Sequence, residues 1–287
     1  MRTAAALSVT LPGVAAAQVP SGTGTDCEMV WSDEFDYAGL PDSSKWRYDV
    51  GGHGWGNQER QFYTRNRPEN ARVEEGLLVI EARREEWEGR GYTSARLLSR
   101  TEWTYGRFEA RARLPTGTGT WPAIWMVPDL RRYGGWPRAG EIDIMEHVGY
   151  DQDVVHASVH TEAYHHSIGT QRTATIEVPG ASSEFNLYAV EWEPSQIRAY
   201  VNDEHYFTFD NERLVQPDAD ERHWPFEHPF HYVLNIAVGG TWGGQQGVDE
   251  EIWPQRMEVD YVRTFRCGST PPPPSPAPDS LPPRRSE

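Results

Sequence analysis

The apolar and polar residues of this chain alternate in many short runs, a pattern typical of β-strands with one buried face. Residues 106–114 alternate strictly over several positions, and other strand-like runs occur at 77–82, 154–160, 188–192, 197–201, 206–209 and 257–263. Turn-forming pairs such as Pro194-Ser195 and Asn202-Asp203 separate neighbouring runs, and no long window has helical periodicity. Many short strands joined by regular turns predict an all-β antiparallel sandwich.

One further strand-like run, residues 141–146 (EIDIME), carries three carboxylates. Strand side chains alternate between faces, so Glu141 and Asp143 share a face, and Met145 stands where the third acid would be. Glu146 joins the other two only if the strand contains one extra residue, a β-bulge, and bulges occur next to active sites. Without a bulge, five residues of strand span about 16 Å at roughly 3.3 Å each.

Two carboxylates that face one cleft are the groups that hydrolyse glycosidic bonds. Mutual repulsion among three close acids should raise the pKa of at least one of them, which suits a general acid near neutral pH. The alternative is a solvated acidic strand or a cation site. The large apolar residues between the acids tie this strand to a core and disfavour that alternative.

Residues 140–147 (GEIDIMEH) resemble the signature of glycoside hydrolase family 16. Similar motifs occur at 30–35 (VWSDEF), 54–59 (GWGNQE), 121–126 (WPAIWM) and 259–263 (VDYVR). The resemblance implies a concanavalin A-like β-jelly-roll sandwich with an open substrate cleft across its concave sheet. It also implies that Glu141 is the nucleophile, that Glu146 is the acid/base, and that Asp143 assists them.

The spacing with one extra residue resembles the endo-1,3-β-glucanase (laminarinase) branch and some algal-polysaccharide branches, whereas lichenases lack that residue. The implied activity is retaining, internal cleavage of 1,3-β-glucosidic bonds, and cleavage of mixed 1,3-1,4 β-glucans stays open. The alternatives are an agarase, carrageenase or transglycosylase with the same acids, and a non-catalytic lectin-like glucan-binding module. The presence of both Glu residues favours an enzyme, and paired carboxylates need no cofactor for catalysis.

A second group of residues is predicted to contact the glucan chain. Trp121 and Trp125 share a strand face around the small Ala123, and twelve tryptophans exceed what packing usually needs, although core packing is the alternative. Asn57 is included because it follows a Gly-rich loop, and His160 because it lies on the strand that follows the acids. The resemblance implies the remaining members. Purely structural roles are the alternative for all of them. The full set is Asn57, Arg96, Trp121, Trp125, Trp136, His160 and Trp242.

The resemblance further implies a structural calcium ion on the convex face, held by Glu34, by a backbone carbonyl near Gly76, and by Asp260. Turn capping by the two acids is the alternative. Cys27 and Cys267 lie at opposite ends of the predicted domain. They would form a disulfide if the first and last strands are neighbours in an exported protein, and otherwise they are independent thiols.

The two ends of the chain differ in composition from the part between them. Residues 1–17 have one positive charge, a short apolar run and small residues at a cleavage site, which predicts a signal peptide and secretion. A disordered Ala-rich segment is the alternative. Residues 26–268 form the predicted catalytic domain, and 270–287 a disordered Pro-rich tail or linker. The net charge of −16 disfavours nucleic acid and anionic membranes as partners. We expect a monomer whose partner is a β-glucan polysaccharide.

Overall fold

The structure is a computed structural model, and it describes residues 27–268. The predicted signal peptide (1–17) and Pro-rich tail (270–287) lie outside the described residues. The described chain forms strands β1 (Cys27–Asp33), β2 (Trp46–Asp49), β3 (Gln61–Tyr63), β4 (Ala71–Glu74), β5 (Leu77–Trp87), β6 (Arg90–Ser94), β7 (Arg96–Ser99), β8 (Gly106–Arg113), β9 (Thr120–Val127), β10 (Glu141–His147), β11 (Val154–His160), β12 (Arg172–Glu177), β13 (Asn186–Trp192), β14 (Gln196–Val201), β15 (Glu204–Asp210), β16 (His231–Val238) and β17 (Gln255–Cys267).

The strands form two sheets, one of ten strands and one of seven. The larger sheet has the order β15-β14-β13-β8-β17-β5-β6-β3, with β1 paired to β17 and β4 to β5. The smaller sheet has the order β12-β11-β10-β9-β16-β7-β2. Neighbours are antiparallel except β3 and β6, which run parallel. The predicted antiparallel sandwich is confirmed, and within residues 27–268 the only helices are two 3₁₀ turns, His166–Ile168 and Glu212–Leu214.

The inner faces of the two sheets meet in one large apolar core. Strand β8 contributes Phe108, Ala110 and Ala112, while its intervening residues point to the outer face of the ten-stranded sheet. Strand β10 contributes Ile142 and Ile144 from the facing sheet. Because alternate residues of each strand enter this core, the opposite face of the seven-stranded sheet is left available for a site.

The first and last described strands are neighbours, as the disulfide alternative requires. Cys27 and Cys267 are opposite each other in the β1–β17 pair, with 4.0 Å between their Cα atoms, and their sulfur atoms are bonded. The bond links the first and last described strands within the ten-stranded sheet. In the described part of the chain, no helix has the length and apolar character needed to cross a membrane.

Candidate active site

The acidic strand β10 contains the bulge that its sequence predicts. Its pairing with β9 matches Asp143 to Trp125 and Glu146 to Ala123, and the register shifts between Asp143 and Met145. The pairing with β11 shifts in the same place. Ile144 and Met145, although adjacent, are therefore both buried in the core. The extra residue returns Glu146 to the face that carries Glu141 and Asp143, and the bulge prediction is confirmed.

The three acids line a cleft of about 860 Å³ on the outer face of the seven-stranded sheet. Every strand of this sheet contributes to the lining, from β2 through β12: Asp49, Arg96, Asn235, Trp125, Glu141, His160 and Thr173. Six inter-strand spacings of about 4.8 Å give the cleft a length of about 29 Å. A cleft that crosses a whole sheet can hold several units of a polymer at once.

Two neighbouring strands position side chains beside the acids. On β9, the indole N–H of Trp121 donates to Oε1 of Glu146 at 3.0 Å. On β11, His160 is paired with Glu141. The Nε2 atom of His160 lies 3.7 Å from Oε1 of Glu141 and 3.3 Å from Oδ2 of Asp143. Glu146 thus accepts a hydrogen bond from a neutral donor, whereas Glu141 and Asp143 lie close to an imidazole.

Burial raises the pKa of all three acids. Burial is the largest cause for Glu141, followed by the charge of Asp143, and His160 opposes the rise, which leaves a pKa of about 8. Burial and Asp143 likewise raise the pKa of Glu146 to about 8, against the hydrogen bond from Trp121. Burial raises the pKa of Asp143 well above its usual range. The cluster therefore retains protons near neutral pH, and its members do not ionise independently.

Arg96 lies between two indole rings in the wall of the cleft. Its guanidinium carbon is 4.7 Å from the ring centroid of Trp55 and 4.7 Å from that of Trp125. Its Nε atom also pairs with Asp49 at 3.2 Å. Cation–π contacts with two indole rings and the ion pair with Asp49 restrict the guanidinium, which keeps Arg96 in place in the cleft wall.

A buried carboxylate, Glu59, organises the floor of the cleft, and the sequence analysis did not single it out. Asn57 donates to its Oε1 at 3.2 Å, and Gln61 donates to its Oε2 at 2.6 Å. Burial raises the pKa of Glu59, and the hydrogen bonds from Gln61 and Asn57 oppose that rise. Glu59 is the last residue of the GWGNQE motif, two residues after Asn57. Its place in that motif was the sequence signal that could have identified it as a cleft residue.

Asn235 is the second residue that sequence reasoning missed. Its Oδ1 accepts a 2.8 Å hydrogen bond from the indole N–H of Trp125, and its Nδ2 donates to the hydroxyl of Tyr63 at 3.1 Å. It lies on β16, where every residue is buried. A lone amide in an otherwise largely apolar strand was the signal, because a buried amide needs partners.

Glycine is required where the loop after β16 meets the floor. Gly240 has φ +81°, and a Cβ atom there would lie 3.0 Å from the carbonyl oxygen of Asn57. The same atom would lie 3.3 Å from Glu59 and 3.3 Å from the ring of Trp121. This close approach brings the floor, the Trp121 indole and the loop that carries Trp242 into contact.

All ten residues predicted for catalysis and substrate binding line this one cleft. Trp136 lies beside His166, with 4.9 Å between their ring centroids. Trp242 packs edge-on against Trp121 at 5.4 Å and against His156 at 4.9 Å. The structure therefore brings together residues that lie up to 185 positions apart, from Asn57 to Trp242.

The three residues predicted to hold calcium fit the ion only in part. Both oxygens of Glu34 accept from Arg263, at 3.0 and 2.7 Å, and Oδ2 of Asp260 accepts from Arg111 at 2.5 Å. Guanidinium groups thus already neutralise both carboxylates. An ion there would depend on backbone carbonyls, including that of Gly76, and on the second oxygen of Asp260. Calcium stays a prediction.

Comparison with known proteins relates the chain to one enzyme family. Residues 58–263 match the family described as Glycosyl hydrolases family 16. The chain is 65% identical over 243 residues to the "Beta-glucanase" of Rhodothermus marinus, covering 83% of this chain and 85% of that protein. It is 38% identical over 247 residues to the "Glucan endo-1,3-beta-glucosidase" of Cryptopygus antarcticus, covering 82% of this chain and 90% of that protein.

Solved structures agree with these sequence relations. The X-ray structure of the laminarinase from Rhodothermus marinus has a TM-score of 0.83 and covers 84% of this chain and 98% of its own. A variant of SCLam, described as a non-specific endo-beta-1,3(4)-glucanase, has a TM-score of 0.81 at 41% identity. That match covers 86% of this chain and 98% of the SCLam chain, and the SCLam variant holds 1,3-beta-D-cellobiosyl-glucose at its active site.

Proposed function

The chain belongs to glycoside hydrolase family 16, and from that premise we propose that it is an endo-acting hydrolase of 1,3-β-glucosidic bonds in laminarin-type glucans. The observation that carries the proposal is the bulge in β10, which brings Glu141 and Glu146 to one face of one cleft. The names of the relatives from Rhodothermus marinus and Cryptopygus antarcticus support the choice of glucan. The length of the cleft across seven strands supports internal cleavage.

In the proposed first step, the carboxylate of Glu141 attacks the anomeric carbon and the glycosidic C–O bond breaks. Glu146 gives its proton to the leaving oxygen, and a covalent glycosyl-enzyme remains. The raised pKa of Glu146, about 8, keeps that proton available near neutral pH. A proton on Glu146 also reduces the repulsion on Glu141, so that Glu141 can ionise.

In the second step, Glu146 accepts a proton from water, and the oxygen of that water displaces Glu141 from the anomeric carbon. Two inversions at the same carbon give retention of configuration. Asp143, between the two Glu residues and with a strongly raised pKa, is placed to share a proton with whichever neighbour changes charge. The hydrogen bond from Trp121 orients Glu146 for both transfers.

The direct test is release of reducing sugar from laminarin by the wild type, Glu141→Gln and Glu146→Gln. We expect both variants to lose activity, by about 10²–10⁴-fold for Glu146→Gln. Glu204→Gln, an exposed substitution on β15, serves as the matched control and should keep full activity. A wild type that binds glucan and releases no sugar would make the protein a lectin-like module instead.

Two further measurements decide the finer points. NMR of the first product should show the β-anomer, and an initial α-anomer would exclude the retaining mechanism. A panel of laminarin, mixed 1,3-1,4 β-glucan, agarose and carrageenan should show preference for the β-glucans. The name of SCLam suggests testing mixed linkages first, and preference for a sulfated galactan would contradict the choice of substrate.

We also propose that the protein is secreted as a monomer after removal of residues 1–17. The bond between Cys27 and Cys267 supports an oxidising destination. Export of the full chain from a bacterial host, followed by N-terminal sequencing of the product, tests the cleavage position. Retention of the uncleaved chain in the cell would contradict it, and light scattering of the exported protein would test the oligomeric state.

A further inference from the structure

Three donor atoms in the cleft converge in a way that glycoside hydrolysis does not require. Oxygen atoms of Glu141 and Asp143 and a ring nitrogen of His160 all lie within 4.8 Å of one another. Within residues 27–268, this is the only group of three or more carboxylate, imidazole or thiol donors with such spacing. It combines two oxygens with one nitrogen, a donor set that suits a transition metal better than calcium, which takes six to eight oxygens.

Two of the separations within this group are close to those of tetrahedral zinc. Bonds of 2.0–2.2 Å at tetrahedral angles place neighbouring donor atoms roughly 3.3–3.6 Å apart. Nε2 of His160 lies 3.3 Å from Oδ2 of Asp143 and 3.7 Å from Oε1 of Glu141. The third separation, between the oxygens of Glu141 and Asp143, is at most 4.8 Å, so side-chain rotation is needed to complete three corners of a tetrahedron. The fourth corner can take a water molecule, because all three residues line the open cleft.

The Oδ2 atom of Asp143 gives a second, independent indication. Asp143 is only 2% exposed, and in the described chain this oxygen has no hydrogen-bond partner. It nevertheless faces the imidazole nitrogen of His160 across 3.3 Å. A buried carboxylate oxygen without a partner is costly, and a bound cation would satisfy it.

We propose that Glu141, Asp143 and His160 form a binding site for one divalent transition-metal ion of the zinc type. The site is distinct from the calcium position predicted at Glu34, Gly76 and Asp260. Nδ1 of His160 has no hydrogen-bond partner within residues 27–268. Metal-binding imidazoles usually donate from their second nitrogen, and loss of such a partner weakens binding by about 10–100-fold. The ion should therefore bind reversibly.

A metal ion at this position would inhibit glucan hydrolysis. The lone pair of Glu141 that would attack the anomeric carbon would be coordinated to the metal, and the ion with its water would occupy space needed by the sugar. Zinc should therefore compete with the glucan. This consequence rests on the proposed function, whereas metal binding itself does not.

Calorimetric titration of the protein with zinc chloride tests the binding. We expect one ion per chain, and at least ten-fold weaker binding in His160→Gln, which removes the nitrogen donor. Glu146→Gln removes a neighbouring carboxylate outside the group and should still bind one zinc ion per chain although hydrolysis is lost. His223→Gln controls for surface histidines, because His223 pairs with Asp220 at 3.0 Å outside the cleft.

Substitution of cobalt for zinc provides a spectroscopic measurement, since tetrahedral cobalt absorbs strongly in the visible range. We expect that absorption in the wild type and in Glu146→Gln, and its loss in His160→Gln. Equal zinc binding by the wild type and His160→Gln, or loss of binding in His223→Gln, would overturn the proposal.

Different outcomes would contradict the metal site and the hydrolase function. If the protein binds zinc at one site sensitive to His160→Gln and never hydrolyses glucan, the metal site stands and the hydrolase function is wrong. If laminarin is hydrolysed and zinc neither binds in calorimetry nor raises the KM for laminarin, the metal site is wrong. Reversal of inhibition by a chelator would support competition at the cleft.

Discussion

The two outer faces of the sandwich differ in whether a buried carboxylate is neutralised by an arginine. On the ten-stranded sheet, Glu109 is fully buried and accepts from Nε of Arg107 at 3.0 Å. On the seven-stranded sheet, Asp143 is almost as deeply buried, and no arginine of residues 27–268 hydrogen-bonds to it. Burial raises the pKa of both, yet Arg107 opposes the rise at Glu109, whereas burial acts alone at Asp143.

The arrangement at Glu109 recurs at several places on the outer face of the ten-stranded sheet. Arg107 also pairs with Glu191 at 3.3 Å and with Asp203 at 2.9 Å. Further pairs join arginines to acids on neighbouring strands: Arg72–Glu81, Arg111–Asp260, Arg113–Glu258 and Arg198–Glu191. Each of these acids has an arginine partner that neutralises it.

The cleft instead contains several acids close together and few cations that could neutralise them. Glu141, Asp143 and Glu146 stand together, with Glu59 on the floor nearby. The cations nearby are Arg96, already paired with Asp49, and His160 when it is protonated. Clustered acids with raised pKa values cost stability and are typical of functional sites. The comparison therefore separates acids placed for stability from acids placed for chemistry.

The largest expected effect is the loss of a neutralising cation on the ten-stranded face. Arg107→Met should lower the free energy of unfolding by about 3–5 kcal/mol, because it leaves Glu109 buried with an unpaired charge. Asp143→Asn is the matched change in the cleft and should leave stability equal or higher, because it removes one of three repelling acids. Chemical denaturation measures both, and equal losses in the two variants would remove the distinction between the faces.

A smaller effect, on catalytic rate, is expected within the cleft from loss of the hydrogen bond that Trp121 donates to Glu146. Trp121→Phe keeps the ring and removes the N–H that donates to Glu146. We expect kcat to fall about ten-fold, the effect of losing a hydrogen bond to a charged group. The alkaline limb of the pH profile should move to higher pH, because that hydrogen bond lowers the pKa of Glu146.

Trp125→Phe is the control on the same strand, because its indole N–H donates to Asn235 and to no catalytic acid. It should change KM for laminarin and leave the alkaline limb in place. A shift of that limb in Trp125→Phe, or its absence in Trp121→Phe, would contradict the assignment.

The pH dependence of stability gives a further test. Glu141 has a pKa of about 8 in the folded protein, above the ordinary value of 4.5. The folded state therefore binds more protons between these values, and this contribution to stability is lost as pH rises toward 8. The Glu141→Gln side chain is a neutral amide that does not ionise in this pH range. The melting temperature of this variant should therefore exceed that of the wild type by more at pH 8 than at pH 5. Glu204→Gln, on the surface, should show no such trend.

The smallest effect is expected from calcium, because arginines already neutralise Glu34 and Asp260. If backbone carbonyls hold the predicted ion, calcium should raise the melting temperature by a few degrees and a chelator should reverse the gain. Magnesium at equal concentration controls for ionic strength. An unchanged melting temperature would contradict the calcium prediction.

Much of the fold follows from local pattern. The alternation at 106–114 predicted β8, and its outer residues Arg107 and Glu109 follow from the same period. The spacing of the acids predicted the bulge of β10, since only an extra residue lets Glu146 join Glu141. These features depend on side-chain direction along one strand, which the order of residues sets directly.

The roles of single residues in the cleft were harder to predict from the sequence. Trp121 and Trp125 were predicted as platforms for sugar, and in addition one donates to Glu146 and the other to Asn235. Asn235 was not predicted, because its partners Trp125 and Tyr63 lie on strands far away in the chain. Glu59 has its partners two residues away, but its burial in the cleft floor depends on the packing of distant segments. Such contacts depend on which strands become neighbours in the sheet.

By itself, the sequence determined the most regular strands, the bulge and the identity of the three acids, because each of these depends on residues close together in the chain. Only the tertiary structure decided which acids are neutralised and which are not. Arg107 reaches Asp203 and Arg263 reaches Glu34 because their strands or turns meet in the ten-stranded sheet. The acids of β10 lie between strands that bring an indole and an imidazole instead. The charge state of a buried acid depends on its surroundings in space, and these surroundings come from strand order rather than from the local sequence.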